Sequence, residues 1–274
     1  YQEALNTELS KQPEYFVALT IGIANSAFKT EQPHLAITFL KEGLRQIPDS
    51  LALKRSLCQA FIHANLKPDA LAILQEIRET SDSSLENLLW SADQAIAIRE
   101  LALAGRILHE ALQLAPKNTE IIVRLGYVQL ENGQDELARQ TFGQLFEVEE
   151  VDISDMKLAA HALIGMGDLD TSIPFIEKAL EMCDYQSGDL LSELTRLYIQ
   201  AGQLPAALDA VHKHLKVAPT DHHLWITQSE ILMELGRPKA ALGAIEEALK
   251  LAPAAAPLHS RAAEIYRQED NLNA

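Results

Sequence analysis

Residues 225–253, WITQSEILMELGRPKAALGAIEEALKLAP, read as two amphipathic helices punctuated by Gly236 and Pro238 and closed by Pro253. A glycine ends the first helix because it accepts φ > 0 at little cost. A proline suits the first turn of the next, where its missing N–H has no bond to lose. Residues 190–219, LLSELTRLYIQAGQLPAALDAVHKHLKVAP, have the same form 34 residues earlier: Gly202 for Gly236, Ala207 for Ala241, Pro219 for Pro253. Further back, Gly133 and Gly167 are again 34 apart, with one residue inserted before the next unit.

On this period, units begin at 17, 51, 85, 119, 153, 188 and 222, with a partial unit at 256. The twentieth position of each unit holds Ala36, Ala70, Ala104, Ala138, Ser172, Ala207 and Ala241. Six alanines in seven slots at fixed spacing exceed what alanine richness alone produces. The closing proline falls at Pro48, Pro116, Pro219 and Pro253, and acidic residues take the other three slots. Glu31, Asn65 and Arg99 stand in for the hairpin glycine in the first three units.

Composition agrees with an all-α chain. Of 274 residues, 47% are hydrophobic but only 5% aromatic, which suits closely packed short helices better than a sheet of β-branched and aromatic residues. A net charge of −16 repels polyphosphate and anionic lipid, so nucleic acid is excluded as a natural partner. No apolar run is long enough to cross a bilayer. Cys58 and Cys183 fall several hairpins apart and are expected as free thiols. The chain starts at Tyr1 with no basic, apolar leader, so cytoplasmic and periplasmic locations both stay open. Its alanine and leucine usage, with little cysteine, points to a bacterial origin.

A 34-residue helix–turn–helix period with these residues resembles the tetratricopeptide repeat family. Leu125–Gly126 fits the family's Leu–Gly pair, Phe142 its large residue in the second helix, Trp225 its early aromatic, and Tyr198 and Tyr266 its tyrosine. Armadillo-like and other helical solenoids are the alternative. The resemblance implies a right-handed superhelical α-solenoid, with first helices lining a concave groove and second helices covering the convex back. It covers 17–255 as seven whole repeats. Residues 1–16, with Pro13 as closer, are expected to be the second helix of a preceding repeat, and 256–274 the first helix of a further one. Each repeat buries apolar surface only against its neighbours, so such ends lead us to expect a fragment of a longer chain.

Positions 2, 5, 9 and 12 of each first helix share one face, which the resemblance places in the groove, with position 6 beside it. Those slots supply the candidate partner-binding residues Arg55, Gln59, Trp90, Asp93, Arg124, Tyr127, Lys157, His161 and Arg196, with Val123 also expected on display. Arginines interleaved with aromatics are typical interface anchors. Cations along a groove suit carboxylates, so an acidic peptide or protein segment is the expected partner. The convex side and the repeat edges remain alternative binding faces.

The two-carboxylate clamp by which related repeats grip acidic chaperone C-termini is not matched. Arg55 and Gln59 offer the best start, but Trp90 and Glu120 follow, and agreement returns only at Arg124. No phosphate loop, GxSxG, HExxH or CxxC occurs, so no enzyme activity and no cofactor are expected. His212, His214, His222 and His223 cluster in sequence, but residues two apart on a helix point to different faces, and no metal site is expected. Three roles follow: a scaffold or adaptor holding a partner in the groove, a periplasmic assembly module of a bacterial envelope or polysaccharide-export system, or the regulatory arm of a larger enzyme such as a glycosyltransferase. Bare end helices also allow end-to-end self-association.

Overall fold

The structure is a computed structural model and describes residues 12–272; most of the expected preceding helix, in 1–11, lies outside the described residues. Among the described residues the regular elements are all helical. The first unit holds α1 (Pro13–Lys29), α2 (Pro33–Gln46), α3 (Leu51–His63), α4 (Lys67–Thr80), α5 (Leu85–Ala97), α6 (Leu101–Leu114), α7 (Thr119–Glu131) and α8 (Asp135–Gly143). The second holds α9 (Ile153–Gly165), α10 (Leu169–Met182), α11 (Gly188–Gln200), α12 (Leu204–Val217), α13 (His222–Glu234), α14 (Pro238–Leu251) and α15 (Ala256–Leu272). A 3-10 turn, Gln144–Glu147, follows α8. The two compact units meet in sequence between Gln144 and Leu145. Odd- and even-numbered helices pair as hairpins, and within each unit a hairpin's second helix also packs on the next hairpin's first.

Each junction has a local cause. Ser50, Ser84, Asn118, Asp152, Ser187 and Asp221 cap α3, α5, α7, α9, α11 and α13, their side-chain oxygens accepting a free N–H of the first turn. The turn inside each hairpin needs one left-handed residue. Gly133, Gly167, Gly202 and Gly236 supply it with φ of 68–80°, and Glu31, Asn65 and Arg99 adopt it at 56–58° in the same place. The turn geometry is therefore the same whether or not glycine is present. The inserted residue before α11 is absorbed by two further left-handed residues, Asp184 and Tyr185.

One boundary differs from the sequence reading. α1 begins at Pro13, so residues 13–16 form its first turn, and Pro13 opens a helix instead of closing one. Proline is tolerated there because the N–H it lacks would be unpaired.

Small residues set the spacing within hairpins. All seven residues of the twentieth slot, Ser172 included, are fully buried. Opposite them, the eighth slot holds Ala24, Cys58, Ala92, Gly126, Ala160, Thr195 and Ser229, again buried. The Cys58 thiol donates to the Ala70 carbonyl at 3.6 Å, joining the two slots. Burial pushes that thiol up to about 12, so it stays protonated and inert. Both cysteines are free. Phe142, fully buried, occupies the space over Gly126, where any side chain would collide with its ring.

Candidate functional site

In the first unit, α3, α5 and α7 bring Arg55 to Trp90 and Asp93 to Arg124. The Arg55 guanidinium stacks over the Trp90 ring at 4.9 Å, donates to the Asn87 side chain, and lies 3.4 Å from Glu86. Asn87 in turn donates to Asp82. A guanidinium suits this place because its planar face can lie on an aromatic ring while its edge donates hydrogen bonds. One helix further on, Arg124 meets Asp93 at 2.8 Å and Glu120, on its own helix, at 3.6 Å.

In the second unit, His161 Nε2 lies 3.0 Å from Glu193, whose carboxylate also sits 3.8 Å from Arg196. Arg196 donates to Gln200 at 3.1 Å. Glu230 and Arg261 pair at 3.0 Å. Three of these pairs follow one rule: Asp93–Arg124, His161–Glu193 and Glu230–Arg261 each join position 9 of one first helix to position 6 of the next. Arg55, Arg124 and His161 thus meet acidic residues of a neighbouring hairpin, whereas Arg196 is held within its own helix.

The remaining candidates are placed as follows. Gln59 is exposed on α3, and Lys157 is half-buried on α9. Tyr127, half-buried on α7, packs edge-on against Phe142 at 6.0 Å, and burial raises its hydroxyl above the usual range. Val123, expected on display, is buried: position 5 of α7 faces the packing. The sequence reading missed the partners Glu86, Asn87, Glu193 and Arg261. Opposite charges 31 or 32 residues apart were the signal that would have found them.

A cavity of about 660 Å³ adjoins Arg55, lined by Asp49, Lys54, Asp82, Glu86 and Asn87 among others. Lys54 itself is buried and paired with Glu76 at 2.8 Å. A second cleft, about 520 Å³, lies between α6 and α8 over α7.

The histidines separate by environment. His214 is 7% exposed, and burial holds its pKa below the ordinary value against the pull of Asp221 and Asp189. His212 contacts Gln228 at 2.8 Å. His222 and His223 stack at 4.1 Å between centroids and, with Asp221, set ligand atoms within 4.8 Å of one another. These three are the described residues best placed to hold a cation, although the Asp221 carboxylate is already engaged by the His223 N–H at 2.9 Å. No described helix is long and apolar enough to cross a membrane.

Profiles of the tetratricopeptide repeat family match residues 95–161, 158–184 and 192–256. Among solved structures, the chain is similar to one of Naa15/Naa10 bound to HypK-THB, at 13% identity and a TM-score of 0.58. The match covers 91% of this chain but only 39% of that one. It is also similar to a tetratricopeptide repeat protein from Parabacteroides merdae ATCC 43184, at 15% identity and a TM-score of 0.49, covering 91% of this chain and 98% of that one. No curated protein matches it.

Proposed function

Because this chain belongs to the tetratricopeptide repeat family, a fold of protein-interaction scaffolds, we propose that it holds an extended, carboxylate-bearing segment of a partner against its first helices. On this reading it is a binding module and not an enzyme.

The observation that carries the proposal is the row on α3, α5 and α7. Arg55 lies stacked on Trp90, and Arg124 is fixed by Asp93. Both arginines are partly exposed and already held in one geometry, so binding immobilises little further side-chain freedom. A guanidinium has five N–H donors. Arg124 uses its Nε and one Nη2 edge on Glu120 and Asp93, leaving others for an incoming carboxylate. Trp90 and Tyr127 add apolar area beside these charges.

The test is a partner captured with the full-length protein, identified, and titrated against purified variants. Arg55→Glu with Arg124→Glu is expected to weaken binding by about tenfold or more and to flatten its salt dependence. Trp90→Ala is expected to weaken it without changing the salt dependence. Unchanged affinity in the double reversal rejects this face.

A further inference from the structure

Of the junctions between hairpins within either unit, that of α4 with α5 is the sparsest. The link between the two helices shows why. After α2, α6, α12 and α14 the chain turns in one way: Ile47, Ala115, Ala218 and Ala252 hold φ of −129 to −134° and ψ of 68–78°. The carbonyl of each accepts the N–H three residues on, at 3.1–3.3 Å. Pro48, Pro116, Pro219 and Pro253 take the second place of these turns, where a fixed φ favours closure. After α4 the equivalent Ser81 is extended, at φ −93° and ψ 159°, and Asp82 stands in the proline's place. The Ser84 N–H makes no bond back to Ser81. Residues 81–84 are therefore an open, serine-rich link and not a closed turn.

Packing beside the link is thin on both sides. The cavity of about 660 Å³ beside Arg55 is bounded by α3, the link and the first turn of α5. A small void of about 20 Å³ lies on the other side, lined by Arg78 of α4 and Ser91 of α5 among others. Ser91 is buried where other units place Ile23, Leu57, Leu125 and Leu194. What crosses this junction is charge. Three cations of the second hairpin meet three carboxylates of the third: Arg55–Glu86 at 3.4 Å, Lys67–Glu100 at 2.9 Å and Arg78–Glu110 at 2.8 Å. All six side chains are at least partly exposed, so water and salt weaken the pairs. A stack of repeats is held only through its neighbouring interfaces, and it parts first at the weakest of them.

We propose that this junction is a hinge closed by an ionic clasp. Residues 81–84 are the pivot, the three base–acid pairs hold it shut, and screening them lets the first two hairpins swing away from the third and fourth. Opening has a definite consequence for the candidate face. Arg55 stands on one side of the pivot, and Trp90, Asp93 and Arg124 stand on the other, so Arg55 lies on Trp90 only while the hinge is shut. The hinge itself does not depend on what that face binds.

The test uses the full chain carrying Cys183→Ser, with nitroxide labels at pairs of exposed positions and distances read by pulsed electron–electron double resonance; Cys58 is buried and stays unlabelled. Gln46→Cys with Gln113→Cys spans the hinge, and Gln113→Cys with Gln140→Cys spans the next junction as a control. Raising salt from about 0.05 M to about 1 M is expected to shift the first distribution to longer distances and broaden it, leaving the second unchanged. Lys67→Gln with Arg78→Gln should give the open distribution already at low salt. Ser81→Ala with Asp82→Pro, which restores the sequence of the closed turns, should keep the first distribution short and narrow at both salts. Circular dichroism should show constant helix content throughout, which separates opening from unfolding. The proposal is overturned if the first distribution ignores salt, if both distributions broaden together, if the charge-neutral variant matches the parent at low salt, or if the restored turn opens as the parent does.

Discussion

Asp93 on α5 and Arg124 on α7 meet at 2.8 Å as position 9 of one hairpin and position 6 of the next, a relation that His161–Glu193 and Glu230–Arg261 repeat. Both side chains are partly exposed, so water and salt screen the pair. A double-mutant cycle with Asp93→Ala and Arg124→Ala should give a coupling of about 0.5–1 kcal/mol by urea denaturation, falling as salt rises. A coupling above about 3 kcal/mol would show that the rungs hold the stack together, contrary to this account.

Gly126 and Gly105 make a controlled contrast. A Cβ at Gly126 would lie 2.6 Å from Phe142 Cζ and 2.8 Å from Cδ1, inside a fully buried ring. Gly126→Ala should cost about 1–3 kcal/mol through overpacking. Gly105→Ala has open space and should gain about 0.5–1 kcal/mol from helix propensity. Equal effects at the two sites, measured by chemical denaturation, would contradict the packing described.

Arg99 holds φ at +58° where four other hairpins use glycine. Arg99→Gly should stabilise the chain by about 0.5–1 kcal/mol, the relieved strain exceeding the entropy a glycine adds to the unfolded chain. Gly202→Ala should cost about 1 kcal/mol. Thermal melts of the two variants should move in opposite directions.

His214 makes the stability of its unit depend on pH. Burial lowers its folded pKa beneath the ordinary 6.5, although Asp221 and Asp189 pull the other way. Below pH 6.5 the unfolded chain therefore takes up a proton that the folded chain refuses, so stability falls as pH drops. Full stability is retained above 6.5. Urea midpoints at pH 7.5 and 5.5 should differ more for the parent chain than for His214→Gln; identical differences would refute the assignment.

The two thiols should separate kinetically. Cys58 is buried and held protonated by its pKa of about 12, whereas Cys183 is partly exposed. Ellman's reagent should modify one equivalent quickly and the second only on unfolding.

Much of the fold was legible because each hairpin repeats the same local demands. A left-handed residue must follow each first helix, so Gly133 and Arg99 mark the same place with different side chains. Two helices must approach closely, so the twentieth slot stays small. The caps from Ser50 to Asp221 recur on the same period and mark it a second time. At the candidate site, the row of residues could be read from helical spacing, but their partners could not. Whether Arg124 points at solvent or at Asp93 depends on the angle between successive hairpins, which a one-dimensional period does not contain. The cleft over α7 was hidden for the opposite reason: Gly105 and Gln129 in its lining differ from the residues at the same positions of the other units, and a period marks only what repeats.

The rungs from position 9 to position 6 do not all run in the same electrical direction. The third hairpin presents an acid, Asp93, to a base, whereas the fifth presents His161 to the acid Glu193. Exchange the fourth hairpin for the sixth, and Asp93 would face Glu193, carboxylate against carboxylate. Hairpins that look interchangeable in outline are therefore keyed to their neighbours. A version with these hairpins exchanged would set like charges together at a rung, so the order of the repeats is written in charge as well as in shape.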